Sequence, residues 1–187
     1  MNMRRHRKTF RAVHRRCGRG GDEGQSLLET AVTMPLLLAI AFNLINVAYF
    51  WFVLLSLSAA SRQGVQFASQ GGSAAGTISA PTTAAVSNLV YENVTSAING
   101  ATTSNVAVRV CSSAKGVNPA NGIALCDQFG PAFAFSAPAA DPESPVYVLN
   151  RVDVGYTVTP VIPGTAFGVL LPGNLQFQRH SSMRSLY

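Results

Sequence analysis

The most extended pattern in the chain is apolar. From Thr30 to Ala60 no charged residue occurs over 31 positions, roughly 46 Å of helix at about 1.5 Å per residue. That exceeds the about 30 Å needed to cross a hydrocarbon core. From Leu57 the pattern changes: Leu57, Ala60, Gly64 and Phe67 follow a helical spacing, whereas Arg62, Gln63, Gln66 and Gln70 lie largely off that stripe. The spacing predicts one helix over 25–70, apolar all round at first and amphipathic afterwards, with Gly71-Gly72 as its stop.

Residues 71–82, rich in Gly, Ser, Ala and Thr, read as a linker. A second helix is predicted from Thr82 to Asn99, with Val86, Leu89, Val90, Val94, Ala97 and Ile98 on its apolar face. The period then shortens to two. Val106, Val108 and Val110 alternate with Asn105, Ala107 and Arg109. Val146, Val148, Val152, Val154, Tyr156 and Val158 share one parity that only Asn150 breaks, and Leu175 and Phe177 suggest a third, short strand. A loop over about 112–144 separates the first two strands. The expected fold class is α+β: a long N-terminal transmembrane helix continuing into a small module, 83–187, in which a short antiparallel sheet packs on helix.

Charge sharpens this division. The formal net charge is +6, and residues 1–23 carry all of it: eight Arg or Lys stand there against Asp22 and Glu23, while the remainder is balanced. A basic segment beside an apolar span holds that end in the cytoplasm. Without a helix-turn-helix or zinc-finger pattern, such a tail offers nucleic acid only non-specific, salt-sensitive contact, so no specific nucleic-acid partner is expected. A cleaved secretory signal, with Ser58-Ala59-Ala60 as its small-residue site, is disfavoured because the apolar region is about twice the usual 7–15 residues.

This topology leaves Cys17 on the reducing side and Cys111 and Cys126 beyond the membrane, where they are expected to form a disulfide. The opposite topology would leave two free thiols. Within the span, Pro35 removes a backbone hydrogen bond and is expected to bend the helix. Asn43 and Asn46 lie three apart on one face; such amides either contact a partner helix or are simply tolerated in the span.

Candidate chemistry is sparse. Beyond the apolar span stand one histidine, His180, and five acids, Glu92, Asp127, Asp141, Glu143 and Asp153. Neither a Gly-x-Ser-x-Gly elbow nor a phosphate-cradling Gly-Lys-Ser motif is present. Zinc would need three or four converging N or S ligands. No enzyme, metal or cofactor is expected; a hydrolase would require His180 to meet a serine in space.

What remains is the boundary of the span, where Gly24-Gln25-Ser26-Leu27-Leu28-Glu29 precedes the long apolar helix. This run resembles the site at which prepilin peptidases cut type IV pilin precursors, after a Gly and with Glu as the fifth mature residue. More narrowly, Glu29, Ala31, Pro35 and Leu36-Leu37-Leu38, with the later Ala59-Ala60-Ser61-Arg62-Gln63-Gly64-Val65-Gln66-Phe67-Ala68, are similar to the TadE-like family of the tight-adherence (Flp, type IVb) pilus system. Thr30 replaces the aromatic that usually follows the Glu, and Asn46 stands where many members carry a second Glu.

The resemblance implies a minor pilin or pseudopilin of the bacterial inner membrane. Residues 1–24 would be a cytoplasmic leader removed after Gly24, with Gln25 as the new N-terminus, and the module would be periplasmic. Glu29, Pro35, Asn43 and Asn46 would serve helix assembly. The implied partners are the membrane, the prepilin peptidase, other pilin-like subunits in a hetero-oligomer and the pilus assembly platform. The alternative is a membrane-anchored periplasmic binding module that uses its Gly- and Pro-rich loop and never enters a pilus.

Overall fold

The computed structural model describes residues 20–70, 79–144, 146–162 and 174–186, with side-chain detail from Gln25 onwards. The expected leader with Cys17, the Gly71-Gly72 stop and most of the linker lie largely or wholly outside the described residues. Among those residues the elements run α1 (Gly20–Ala68), α2 (Thr83–Ala97), β1 (Val106–Cys111), β2 (Cys126–Phe129), β3 (Tyr147–Val158) and β4 (Leu175–Leu186). The chain divides into two units, 1–38 and 39–187, and α1 contributes to both.

In the first unit, α1 is a single apolar helix with Pro35 inside it. Its leucines and methionine, from Leu27 to Leu38, are exposed. Gln25–Ala68 is long and apolar enough to cross a membrane.

In the second unit, strands β2-β1-β3-β4 form an antiparallel sheet. Val106, Val108 and Val110 of β1 and Val152, Val154, Tyr156 and Val158 of β3 form one core with α1 and α2. The β-branched side chains suit a pleated surface, and their shared parity directs them to one face. From α1, Asn46, Phe50, Val53, Leu57, Ala60, Val65 and Ala68 are buried, and from α2 Val86, Val90 and Val94. Arg62, Gln63, Gln66 and Gln70 stay exposed, as the stripe predicts.

Thr82 caps α2, its hydroxyl accepting a hydrogen bond from the Ala85 amide at 3.2 Å and so satisfying one orphan donor of the first turn. The observed helix is shorter than the sequence suggests. Leu89 is only half-buried and Ala97 is exposed, while Ser87 is buried, its hydroxyl bonded back to Ala84 O at 2.9 Å.

The strands differ from expectation in two places. The loop over 112–144 contains β2, which pairs with β1; its sequence, Cys-Asp-Gln-Phe, has no apolar alternation to reveal it. The last strand is not short: β4 pairs with β3 along its whole length, from Leu175 opposite Val158 to Leu186 opposite Tyr147. Only its Leu175 and Phe177 reach the core, so its polar remainder carries no hydrophobic signal.

At Gly64, α1 packs tightly against α2 and β3. A Cβ there would lie 2.6 Å from Val90 Cγ2 and 3.2 Å from Val152 Cγ1. Alanine normally favours a helix over glycine by about 1 kcal/mol, but overpacking a tight core costs about 1–3 kcal/mol. Gly64→Ala is therefore expected to lower the urea midpoint of the detergent-solubilised chain, and Gly64→Leu to lower it further.

Candidate processing segment and assembly helix

The residues that carry the resemblance lie at the start of α1. Gln25 through Thr30 are exposed, so the Glu29 carboxylate is on the helix surface. Thr30, which stands in the aromatic position, turns its hydroxyl back to Ser26 O at 2.9 Å, and Thr33 does the same to Glu29 O at 2.8 Å. Both bonds use carbonyls already in the helix, which hides two hydroxyls from an apolar environment.

The two asparagines of α1 are used differently. Asn43 donates to Ala39 O at 2.7 Å, one turn back. Asn46 is fully buried in the second unit. Its Nδ2 donates to Ile162 O at 3.1 Å, and its Oδ1 accepts from Ile162 N at 3.0 Å. One amide thereby satisfies both backbone groups of a residue 116 positions away, just past the end of β3. Phe50, one turn further on, meets Phe177 of β4 edge to face with ring centroids 5.7 Å apart. Ser61 and Ser181 share a hydrogen bond of 3.1 Å. Asn46 thus has an intrachain partner that its sequence position did not reveal.

Cys111 and Cys126 are disulfide-bonded. They stand directly opposite each other at the end of the β1–β2 ladder, so the bridge closes the first part of the Gly- and Pro-rich loop. Beneath it, Ala124 and Val148 form a small second core with Cys111. A cleft of about 530 Å³ opens beside it, lined by Val117, Asn118, Pro119, Asn121, Gly122 and Ser144 among others.

The face of the sheet away from the α1–α2 core carries a feature the sequence did not flag. Arg109 of β1 and Arg151 and Asp153 of β3 converge under the segment 133–137. Arg109 Nη2 lies 2.9 Å from Asp153 Oδ2, and Arg151 Nη2 lies 2.6 Å from Asp153 Oδ1. Both guanidiniums add a second bond from Nε, at 3.1 and 3.0 Å. Their remaining donors reach Ser136 O, Ser136 Oγ and Ala137 O. Phe135 covers Arg109 at 5.0 Å from ring centroid to guanidinium. Phe133 lies flat against Gly155, where any Cβ would come within 2.8 Å of the ring. The signal available in the sequence was parity: Arg151 and Asp153 are two apart, hence on one face, with Arg109 opposite Asp153 once the register is known.

Other charges lock the edges. Lys115 pairs with Asp127 of β2, and Thr83 of α2 donates to the same carboxylate at 2.7 Å. These bonds, Lys115 first, hold the Asp127 carboxyl below its usual pKa. Arg184 of β4 lies 2.8 Å from buried Asp141; Asp141 Oδ2 accepts no hydrogen bond, so the contact is ionic. Burial pushes the Tyr91 hydroxyl above its ordinary range, and burial followed by neighbouring Tyr49 does so for Tyr156. A raised folded-state pKa contributes stability that is intact below the unfolded phenol value of about 10 and is lost as pH rises through the folded value. Urea midpoints are expected to hold from pH 8 to about 10 and to fall above it, less steeply in a Tyr156→Phe variant.

His180 is exposed on β4 opposite Asp153, whose two oxygens are held by the arginines. Among the described residues no group of three or more His, Cys, Asp or Glu is placed to hold a metal.

Comparison with known proteins places the resemblance on firmer ground. No curated protein and no solved structure matches the chain. Residues 24–66 match the family model of the TadE-like proteins, starting at Gly24 and ending just before Phe67 of the amphipathic stripe; the match does not reach the sheet. On that N-terminal segment, under a quarter of its length, the chain is similar to the TadE-like family.

Proposed function

We propose that this chain is a minor pilin or pseudopilin that takes part in assembling a tight-adherence, type IVb pilus. It would be processed by a prepilin peptidase after Gly24 and would associate with other pilin-like subunits through α1. The observation that carries the reading is the family match over 24–66, which begins at the residue after which cleavage is expected. The family itself belongs to the context of the tight-adherence pilus system, and the apolar helix fits membrane anchoring.

The physical logic runs through Glu29. A carboxylate entering a bilayer costs about 2.5–3.5 kcal/mol at its centre and less near its edge, so it favours a nearby cation. Cleavage after Gly24 creates one, the α-amino group of Gln25, on the same or an adjacent subunit. It also removes the basic residues that hold the N-terminus in the cytoplasm. The exposed leucines of α1 from Leu27 to Leu38 are then free to pack against other helices.

Mass spectrometry of the N-terminus tests this. Chain recovered from cells that contain the peptidase is expected to begin at Gln25, and Glu29→Ala is expected to impair incorporation with other pilin-like proteins while leaving the module folded. An intact N-terminus at Met1 under those conditions would sink the processing claim.

The second reading, a membrane-anchored binding module, draws on the cleft beside the disulfide. Co-purification separates the two. Loss of pilin-like partners in the Glu29 variant supports assembly, whereas partners lost only on changing Asn118 or Asn121 support the module.

A further inference from the structure

We propose that the outer boundary of the bilayer lies at Tyr49–Phe52 rather than at Ala60, and that the Trp51–Leu55 face of α1 and the turn at Val161–Ile162 rest in the headgroup–acyl boundary of a phospholipid surface. This rests on membrane anchoring by α1 and not on a role in a pilus.

The uncharged run from Thr30 to Ala60 is too long for one crossing by roughly 16 Å, so one end of it must lie outside the hydrocarbon. The packing decides which. Val53, Leu57 and Ala60 are buried in a core shared with α2, β1 and β3, and the sheet carries Arg109, Arg151 and Asp153 on its other face. A module of that kind does not enter lipid. The surplus is therefore the C-terminal end, and those residues are apolar because they are a protein core. Counting from Glu29, the last charge before the run, about 20 residues of helix reach the far side of a hydrocarbon core, which is Tyr49.

Three independent features meet at that level. Tyr49, Phe50, Trp51 and Phe52 are consecutive aromatics, the residue type enriched where a membrane helix meets water. Phe50 turns into the module, but Trp51 is 66% exposed and Phe52 49%. On the module side Val161 is exposed at 58%, next to Ile162. The third feature is the Asn46 clamp. A backbone N–H and C=O at hydrocarbon depth must be satisfied within the protein, since no water is there to bond them. Asn46 lies about 5 Å along the helix below Tyr49, and its amide supplies both partners to Ile162. That pairing is needed where the turn dips below the surface.

The exposed face continues the apolar surface of the span without a break: Leu44, Ile45, Val47, Trp51, Phe52 and Leu55 are all open. The first charge after them, Arg62, is exposed and stands about 15 Å beyond Phe52, in the aqueous phase.

Trp51 is the sole tryptophan of the chain, so its fluorescence reads the proposal directly. The full chain is reconstituted into phosphatidylcholine vesicles with a minor phosphatidylglycerol fraction, and vesicle association is checked by flotation. Part of the phosphatidylcholine is replaced by lipid brominated either near the headgroup or near the acyl terminus. Shallow bromines are expected to quench Trp51 about twofold more than deep ones, as for an interfacial indole. A Trp51→Phe, Ile40→Trp variant, with its indole near mid-span, is expected to reverse the ranking. Equal or stronger quenching of Trp51 by deep bromines overturns the boundary. Absence of quenching by either lipid in floated vesicles overturns the lipid contact and shows Trp51 covered by a second copy or a neighbouring helix. Failure to float overturns the anchoring on which both depend.

Discussion

Replacing Asp153 by Asn is expected to destabilise the chain by about 3–5 kcal/mol, the penalty for leaving buried charge without its counterion. Asp153 is 2% exposed and accepts from two guanidiniums at once. Without its charge, Arg109 and Arg151 would face each other as like charges across adjacent strands. Neither can lose its proton, because guanidinium pKa values lie above 12. The native state must then either admit water beneath the segment 133–137 or separate β1 from β3. Urea unfolding of the detergent-solubilised protein checks this, with Lys115→Ala as the comparison. Lys115 and its partner Asp127 are each about one-third exposed, so their ion pair is screened and its loss is expected to change stability by less than about 1 kcal/mol. Equal effects of the two substitutions would show that the arginine cluster is solvated and not part of the fold's support.

Removing the disulfide with a Cys111→Ala, Cys126→Ala pair is expected to cost about 3 kcal/mol, the chain-entropy value for a loop of 15 residues. The loss should be local in consequence. β2 has only four residues and pairs with a single neighbour, β1, so without the bridge it is held by its ladder, by Lys115 and Thr83 on Asp127 and by Phe129 against the core. Hydrogen exchange at Asp127 and Gln128 is expected to accelerate, while amides of β1 and β3 at Val108 and Val154 stay protected. Unchanged exchange in β2 would mean that the Asp127 contacts suffice to hold it.

The sequence made the helical scaffold legible because α1 repeats one message over many turns: no charge through the span, then a stripe with its polar residues off to one side. The same holds for the valine faces of β1 and β3, whose parity survives into the structure. β2 was not legible, since its four residues carry no apolar alternation and its register with β1 is a pairing that no local spacing marks. The length of β4 was hidden for a related reason. Past Phe177 it is an edge strand held by backbone pairing to β3, and backbone pairing leaves no mark on side-chain composition.

The candidate site divides similarly. Gly24, Glu29 and Pro35 form a local pattern read from adjacent residues, and the family match covers the same stretch. Asn46 was visible as an amide in an apolar run, but its partner Ile162 lies beyond the module's last valine strand, and no local spacing connects them.

By itself, then, the sequence determined that a basic segment precedes a long apolar helix, that this helix becomes amphipathic, and that two cysteines stand beyond it in a strand-rich module. Each follows from composition or from a period along neighbouring residues. Only the tertiary structure decided which part of the apolar run is buried in a protein core. Lipid and a protein interior select the same side chains, so the residues from Val53 to Ala60 look alike in either role. The difference lies in what packs against them, and α2 and the sheet reach them only once the chain has folded back.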